Sequence, residues 1–366
     1  PSCPSGSCGV MNHAGRIARV RETLSGTEAE ALLVTNLTNV RYLTGFSGPN
    51  GQVLITLETA FFMTDPRYEA RAVSLIEGAD VVIYRDRLSD VLPERLQGAG
   101  VAKLGIESTM TLAQHDDLKE RLEVEFVPTK RLVEEARRTK DADELELIRA
   151  AVALADDTFN WVLDRLVPGA TEREVALDID MHMRREGAEA VAFPPIVGSG
   201  PLSAHIHHTP SDRTFEKGDL VLLDFGCTRD GYCSDLTRTV VLGPATDEQQ
   251  HLYALVLEAQ AAGLAAIRAD LAAKTVDAAA RDVIVAAGHG DAFGHGLGHG
   301  VGLDIHESPI MNRISEDVLR TNDVVTVEPG VYLPEIGGVR IEDCVVVAQE
   351  GAEVLGSAPK EELIQL

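Results

Sequence analysis

The chain has 366 residues, 45% of them hydrophobic, and a formal net charge of -25 from 33 Lys and Arg against 58 Asp and Glu. That length exceeds one typical core and predicts two domains, with apolar content that excludes a disordered chain. The charge argues against a nucleic-acid partner, which needs clustered cations to follow phosphates, and fits a surface that keeps the protein in solution.

No apolar run approaches the roughly 18 residues of a membrane span, and the N-terminus lacks the charged-then-apolar order of a secretory signal. The expectation is a cytoplasmic protein with no membrane partner. The cysteine count is odd, five: Cys3 and Cys8 lie in a Gly/Ser/Pro-rich leader, Pro1 to Asn12, read as flexible. Cys227, Cys233 and Cys344 fall in strand-like runs, so no disulfide is expected, and two leader cysteines are too few for a zinc module.

From Arg16 onward strand and helix patterns alternate: apolar runs at Ala31 to Thr35, Gln52 to Leu57 and Ala60 to Met63, a helical stretch from Asp65 to Leu75, then Val81 to Tyr84 and Lys103 to Ile106. Such a series predicts an α/β domain on a mixed sheet, covering residues 13–139. Asp65, Arg67 and Tyr68 follow a strand end; Asp65 before Pro66 reads as the opening of a helix rather than a cleft residue.

The second domain, 140–366, begins with one long helix from Lys140 to Leu163, with Leu145, Ile148, Val152 and Ala155 on a common face. Thr171 with Glu174 three residues on has the capping-box spacing and opens the next helix, which Gly187 ends. Beyond Phe193 the texture turns to Gly, Pro, Ser and His, including His205, His207 and His208, as binding loops often do. Leu220 to Phe225 and Tyr232 to Leu242 then read as a hairpin turned at Arg229, Asp230 and Gly231. Two helices (Gln249 to Ile267, Val276 to Ala287), a Gly/His loop from Gly288 to Gly302, and a second hairpin-like pair (Val324 to Glu328, Val339 to Val347) complete the chain. The cadence of two helices and a hairpin occurs twice and suggests an internal pseudo-twofold.

Chemistry concentrates in this half. Asp224 and Asp235 stand eleven residues apart on the first hairpin, and His295, His299, His306, Glu328 and Glu342 follow in order. An oxygen-rich set of this kind suits a centre of two divalent cations that hydrolyses its substrate. Taken alone, Asp224 is a turn-capping aspartate, and Asp224-Phe225-Gly226 also spells the magnesium-binding tripeptide of kinases, whose other motifs are missing. Alternation along Val339 to Val347 lets Glu342 face solvent with Asp343 buried, or the reverse. The Gly/His tract could scavenge metal as low-complexity sequence, but such tracts rarely sit between apolar strands.

Five blocks then carry a resemblance: Leu223-Asp224-Phe225-Gly226, Ser234 to Thr239, His295 to Gly302 with His306-Glu307, Val327 to Tyr332, and Gly338 to Asp343. With them the chain resembles the pita-bread metallopeptidases, in the Xaa-Pro branch that contains prolidase and aminopeptidase P. The resemblance implies a creatinase/prolidase-type N-terminal domain that shapes the cleft and helps form a homodimer, joined to an α+β pita-bread catalytic domain. It implies that Asp224 holds one metal, His299 and Glu328 the other, and that Asp235 and Glu342 bridge both. It implies Glu328 as proton shuttle, His207 and His306 as donors to the scissile carbonyl, and His295 as a substrate contact. Arg340 and Tyr332 would orient ligands or substrate. Choosing His207 over His205 and His208 rests on the resemblance.

The expected activity is hydrolysis of the Xaa-Pro imide bond, mainly in dipeptides, with aminopeptidase P action on longer peptides as the alternative. Carboxylates outnumber nitrogen and no thiolate is present, so Mn2+ is expected, with Co2+ or Zn2+ able to take its place. A methionine aminopeptidase would not need the large N-terminal domain, and a creatine amidinohydrolase would not carry all five ligands. A metal-free interaction module on the same fold is the reading from a different class, and the complete ligand set opposes it.

Overall fold

A computed structural model describes residues 11–366. Cys3, Cys8 and nearly all of the expected leader lie outside the described residues; Asn12 is not leader-like, because its side chain caps the first helix by accepting from Gly15 N at 2.9 Å. The chain forms two compact units that divide after Arg137.

The first unit is a six-stranded mixed sheet in the order β4-β3-β2-β1-β5-β6, from β1 (Ala31–Val34), β2 (Gln52–Thr56), β3 (Ala60–Thr64), β4 (Asp80–Ile83), β5 (Lys103–Glu107) and β6 (Glu125–Thr129). The central β1–β2–β3 pairs are antiparallel and the outer pairs parallel. Around it lie α1 (His13–Leu24), α2 (Leu37–Thr44), α3 (Glu69–Leu75), α4 (Leu92–Gly98), α5 (Leu112–Lys119) and α6 (Leu132–Arg138). Strand β1 is buried on both faces, which is why it reads as an unbroken apolar run. Asp65 accepts from Arg67 N at 2.9 Å and opens a single 3-10 turn before α3, as its place before Pro66 suggests.

The second unit starts with α7 (Ala142–Val162) and α8 (Glu172–Arg185). Asp141 with Glu144, and Thr171 with Glu174, form capping boxes at their starts, satisfying amide donors that a helix leaves open. Ile148, Val152, Ala155, Phe159 and Val162 recur at helical spacing and are all buried, each worth roughly 1.5–3 kcal/mol for a large side chain. These helices cover a three-stranded sheet, β12-β9-β8, formed by β8 (Ile196–Ser199), β9 (Leu220–Phe225) and β12 (Leu236–Val241), to which Val197, Val221, Leu223 and Val240 contribute the shared core. A small sheet of β7 (Ala190–Val191), β10 (Cys227–Arg229) and β11 (Tyr232–Cys233) forms the tip of the hairpin.

The pattern then repeats. Helices α9 (Asp247–Ala266) and α10 (Ala273–Ala286) share a core with a five-stranded sheet, β14-β13-β15-β18-β19, from β13 (Gly298–Gly300), β14 (Glu307–Met311), β15 (Val324–Val327), β18 (Asp343–Val347) and β19 (Ala352–Val354). Between β15 and β18 runs the hairpin β16 (Gly330–Leu333) and β17 (Gly337–Arg340). Cys227, Cys233 and Cys344 are buried free thiols.

Candidate metal centre

The expected ligands come from two sheets of the second unit. Asp224 lies near the end of β9, opposite Thr237 of β12 in antiparallel register. Asp235 sits in the break between β11 and β12, and not within a strand. Glycine at 226 makes this close approach possible, since a Cβ there would stand 1.8 Å from the Ser234 carbonyl oxygen.

His299 is the central residue of β13, paired with Ile310 of β14. A Cβ on the preceding Gly298 would fall 2.1 Å from the Thr326 carbonyl oxygen, so only glycine lets β13 lie this close to β15. Glu328 follows β15 directly, and Glu342 precedes β18. Both glutamates thus occupy strand breaks. Period-two alternation, which would bury only one of Glu342 and Asp343, does not hold across this break: Glu342 and Asp343 are each 1% exposed. Asp343 turns to Arg238, Gln260 and Lys360, while Glu342 turns to the cavity.

A cavity of about 580 Å³ is lined by Asp224, Asp235, His299, Glu328 and Glu342 together with His207, His295, His306 and Arg340. Most of its remaining wall is apolar, including Phe193, Pro194, Pro195, Ile206, Ile305 and Ile310, with Thr209 and Asn312 as polar exceptions beside His208. Ligand atoms of Asp235, His299 and Glu342 all lie within 4.8 Å of one another. His299 Nε2 is 3.5 Å from Asp235 Oδ2 and 3.4 Å from Glu328 Oε1. Its Nδ1 is 3.0 Å from the Gly300 carbonyl, which assigns the proton to Nδ1 and leaves Nε2 as a lone pair directed at the carboxylates.

Arg340 is buried and joins three partners: Nη2 donates to Asp224 Oδ2 at 2.5 Å, Nη1 to the Tyr332 hydroxyl at 2.8 Å, and Nε to Thr237 Oγ1 at 3.2 Å. The Tyr332 hydroxyl in turn stands 2.8 Å from His295 Nε2, whose Nδ1 bonds the Gly296 carbonyl. His295 therefore lines the cavity with Nε2 already engaged, a constraint on the substrate contact expected of it. Of the three neighbouring histidines, His207 and His208 line the cavity and His205 does not; His208 Nε2 is bound to Glu172 at 2.8 Å.

Thr237 was not singled out by the sequence, yet its hydroxyl donates to Glu342 Oε2 at 2.6 Å. Thr326 likewise donates to Glu328 Oε1 at 3.1 Å. A signal existed for Thr237: it lies two residues beyond Asp235 in a strand buried on both faces, where a hydroxyl needs a partner.

Four carboxylates face one guanidinium here. Burial first, then Glu342, Asp224 and Glu328, push the Asp235 carboxyl well above the usual range. Burial and the charges of Glu328 and Asp224 do the same to Glu342. Burial raises Glu328 to about 7 against the pull of Arg340, with Asp224 adding to the rise. Burial lowers His299 to about 4 and His295 to about 3, so both imidazoles are neutral at neutral pH. Asp224 Oδ1 and Glu342 Oε1 are buried without a hydrogen-bond partner among the described residues. Orphaned carboxyl oxygens beside a neutral imidazole nitrogen, with no thiolate among them, are the donor set of hard divalent cations, and the residues fit such ions.

Comparison with known proteins accords with this. The model of metallopeptidase family M24 matches residues 146–349, and that of the creatinase/prolidase N-terminal domain matches residues 16–139. An Xaa-Pro dipeptidase of Pyrococcus horikoshii is 34% identical, over 96% of this chain and 99% of its own length. The solved structure of an Xaa-Pro dipeptidase from Bacillus anthracis superposes with a TM-score of 0.95 at 40% identity, covering 97% of this chain and 100% of that one. An X-Pro aminopeptidase from Thermotoga maritima gives 0.88 at 34% identity, covering 94% and 99%.

Proposed function

Because the chain belongs to metallopeptidase family M24, we propose that it hydrolyses the Xaa-Pro imide bond, with dipeptides as its main substrates. The observation that carries this reading is the convergence of four carboxylates, three of them buried, and His299 on one cavity with largely apolar walls. Asp224, Asp235, His299, Glu328 and Glu342 would hold two divalent ions, Mn2+ by preference and Co2+ or Zn2+ otherwise. When bound, such ions supply Lewis acidity, which polarises a carbonyl and acidifies water.

The chain's own residues do the rest. Glu328, raised to about 7, is suited to take a proton and hand it to the leaving nitrogen. His207 and His306 line the cavity and present ring nitrogens to the developing negative charge of the carbonyl oxygen. Arg340, through Asp224, Tyr332 and Thr237, fixes the carboxylate array. Phe193, Pro194 and Pro195 give the prolyl ring an apolar wall. Because prolyl nitrogen carries no N–H, recognition cannot depend on backbone pairing at that position, and shape must replace it.

A second reading, aminopeptidase P action on longer peptides, is favoured by one feature. Among the described residues lining the cavity, Arg340 is the only arginine and there is no lysine, and Arg340 is already bound to Asp224 and Tyr332. A dipeptide carboxylate thus meets no uncommitted Arg or Lys in this wall. The family resemblance further supports a homodimer in the cytoplasm, which gel filtration and cell fractionation test.

Hydrolysis of Ala-Pro beside Ala-Pro-Ala by Mn2+-loaded protein, with a chelated control, decides among these. Cleavage confined to Ala-Pro gives a dipeptidase, and cleavage of both gives an aminopeptidase P range. Silence on both would sink the functional reading.

A further inference from the structure

Glu172, the first residue of α8, has a fully buried carboxylate and does not line the cavity. Its Oε1 accepts from Ser199 N at 2.8 Å and Ser199 Oγ at 2.7 Å. Its Oε2 accepts from Ser211 N at 3.0 Å, Ser211 Oγ at 2.7 Å and His208 Nε2 at 2.8 Å. Burial would raise this carboxyl, but the bonds from Ser211, His208 and Ser199 hold it below the usual carboxylate range. It is therefore ionised and acts only as an acceptor, so His208 carries its proton on Nε2.

All these donors belong to the end of β8 and the long loop that follows it toward β9, the loop that carries His207. The backbone is tied in the same place, with Glu172 N donating to Arg213 O and Arg173 N to Ser211 O, both at 3.1 Å. Arg213 closes the base of the loop by donating to Ser199 Oγ at 2.7 Å and Asp219 Oδ2 at 2.6 Å. His207 itself is exposed and its ring makes no hydrogen bond among the described residues. Yet it lines the same cavity as Asp224 and His306. Its placement depends on what holds its neighbours.

We propose that Glu172 is a positioning residue, which aims His207 at the reacting carbonyl by pinning the loop on both sides of it. This rests on the role given to His207 above. A carboxylate shared by five donors, at the start of a capped helix, is a rigid anchor, and displacement of a catalytic group by about 1 Å costs on the order of 10²-fold in rate. Glutamine fills the same volume but brings a donor face to hydroxyls and an N–H that already donate, so it cannot keep all five bonds.

The experiment is a double-mutant cycle of Glu172→Gln with His207→Ala, read by Ala-Pro hydrolysis with Mn2+, with Mn2+ stoichiometry by calorimetry and amide exchange over residues 205–211. The expected result is a fall of about 10–100-fold in kcat/KM for Glu172→Gln, unchanged Mn2+ stoichiometry, and less than about twofold further loss in the His207→Ala background. Ser211→Ala, which deletes one of the five bonds, should lose severalfold by the same pattern and covers the case in which Glu172→Gln does not fold. Amide exchange over 205–211 should quicken in both variants, whatever the substrate. An additive cycle, loss of bound Mn2+, or unchanged exchange would overturn the proposal while leaving the functional reading intact. If the wild-type protein cleaves no Xaa-Pro peptide, the functional reading fails, and the exchange measurement still judges the anchor.

Discussion

Arg340 donates to one oxygen of Asp224, Oδ2, while the other, Oδ1, is buried with no hydrogen-bond partner among the described residues. Arg340 thus orients the carboxylate, and the metal-ligand role proposed for Asp224 falls to its second oxygen. Removing the guanidinium leaves a buried carboxylate uncompensated, a change that costs about 3–5 kcal/mol in comparable buried pairs. Arg340→Ala is expected to lower the denaturant midpoint of the metal-free protein by that order and to reduce turnover. Arg340→Lys should rescue little, because a lysine cannot reach Asp224, Tyr332 and Thr237 together. Lysine restoring both stability and turnover would contradict this.

Ligand atoms of Asp235 and Glu342 lie within 4.8 Å of each other and of His299, and we propose that these two carboxylates bridge the ions. Asp235→Ala or Glu342→Ala should abolish metal stoichiometry and activity together, as measured by elemental analysis after gel filtration. An active Glu342→Ala protein would end the bridging assignment.

His306 stands ring against ring with His299, their centroids 4.3 Å apart, without belonging to the tight ligand group. His306→Ala should reduce kcat by about 10²–10³, the range for losing one donor to a developing oxyanion, with metals still bound. Loss of metal from that variant would make His306 a ligand.

Thr237 orients Glu342 from behind, donating at 2.6 Å. Thr237→Val keeps the shape and deletes the donor, and should weaken metal binding by about 10–100-fold. Unaltered Mn2+ affinity in a competition assay would show that Glu342 needs no such support.

The raised carboxyls make the metal-free protein sensitive to pH. Asp235, Glu342 and Glu328 keep protons when folded at a pH where the unfolded chain has lost them, so their contribution is present at low pH and is lost as pH rises through the folded values, about 7 for Glu328. The lowered histidines, His295, His299 and His306, act in the opposite direction, but only below the ordinary histidine value of about 6.5. Between pH 6.5 and 8 the carboxyls decide, so the melting temperature of the metal-free protein should fall across that interval. Saturating Mn2+ should flatten the fall, because cations then replace the protons. A metal-free melting temperature that rises from pH 6.5 to 8 would refute the account.

Much of this protein is local in its coding. The capping boxes at Thr171 and Asp141, the buried stripe from Ile148 to Val162, and the twofold order of two helices and a hairpin are short-range periodic or capping signals. The identities of Asp224, Asp235, His299, Glu328 and Glu342 were legible as ligand types in order, and their gathering into one cavity accords with that. Less legible was which side chain turns inward where a strand breaks. Glu342 and Asp343 are both buried because β18 begins only at Asp343, and period-two alternation has no force across a break.

The sequence by itself determined the two domains' character, the repeated order of helices and hairpins in the second half and the chemical types at the centre, since these depend on neighbours in the chain. Only the tertiary structure decided that Thr237 supports Glu342, that Tyr332 occupies His295 Nε2, and that Glu172 anchors the loop beside His207. Those contacts join residues from 36 to 105 positions apart. Hydrogen bonds of that span follow from sheet register and close backbone approach at Gly226 and Gly298, which no local pattern records.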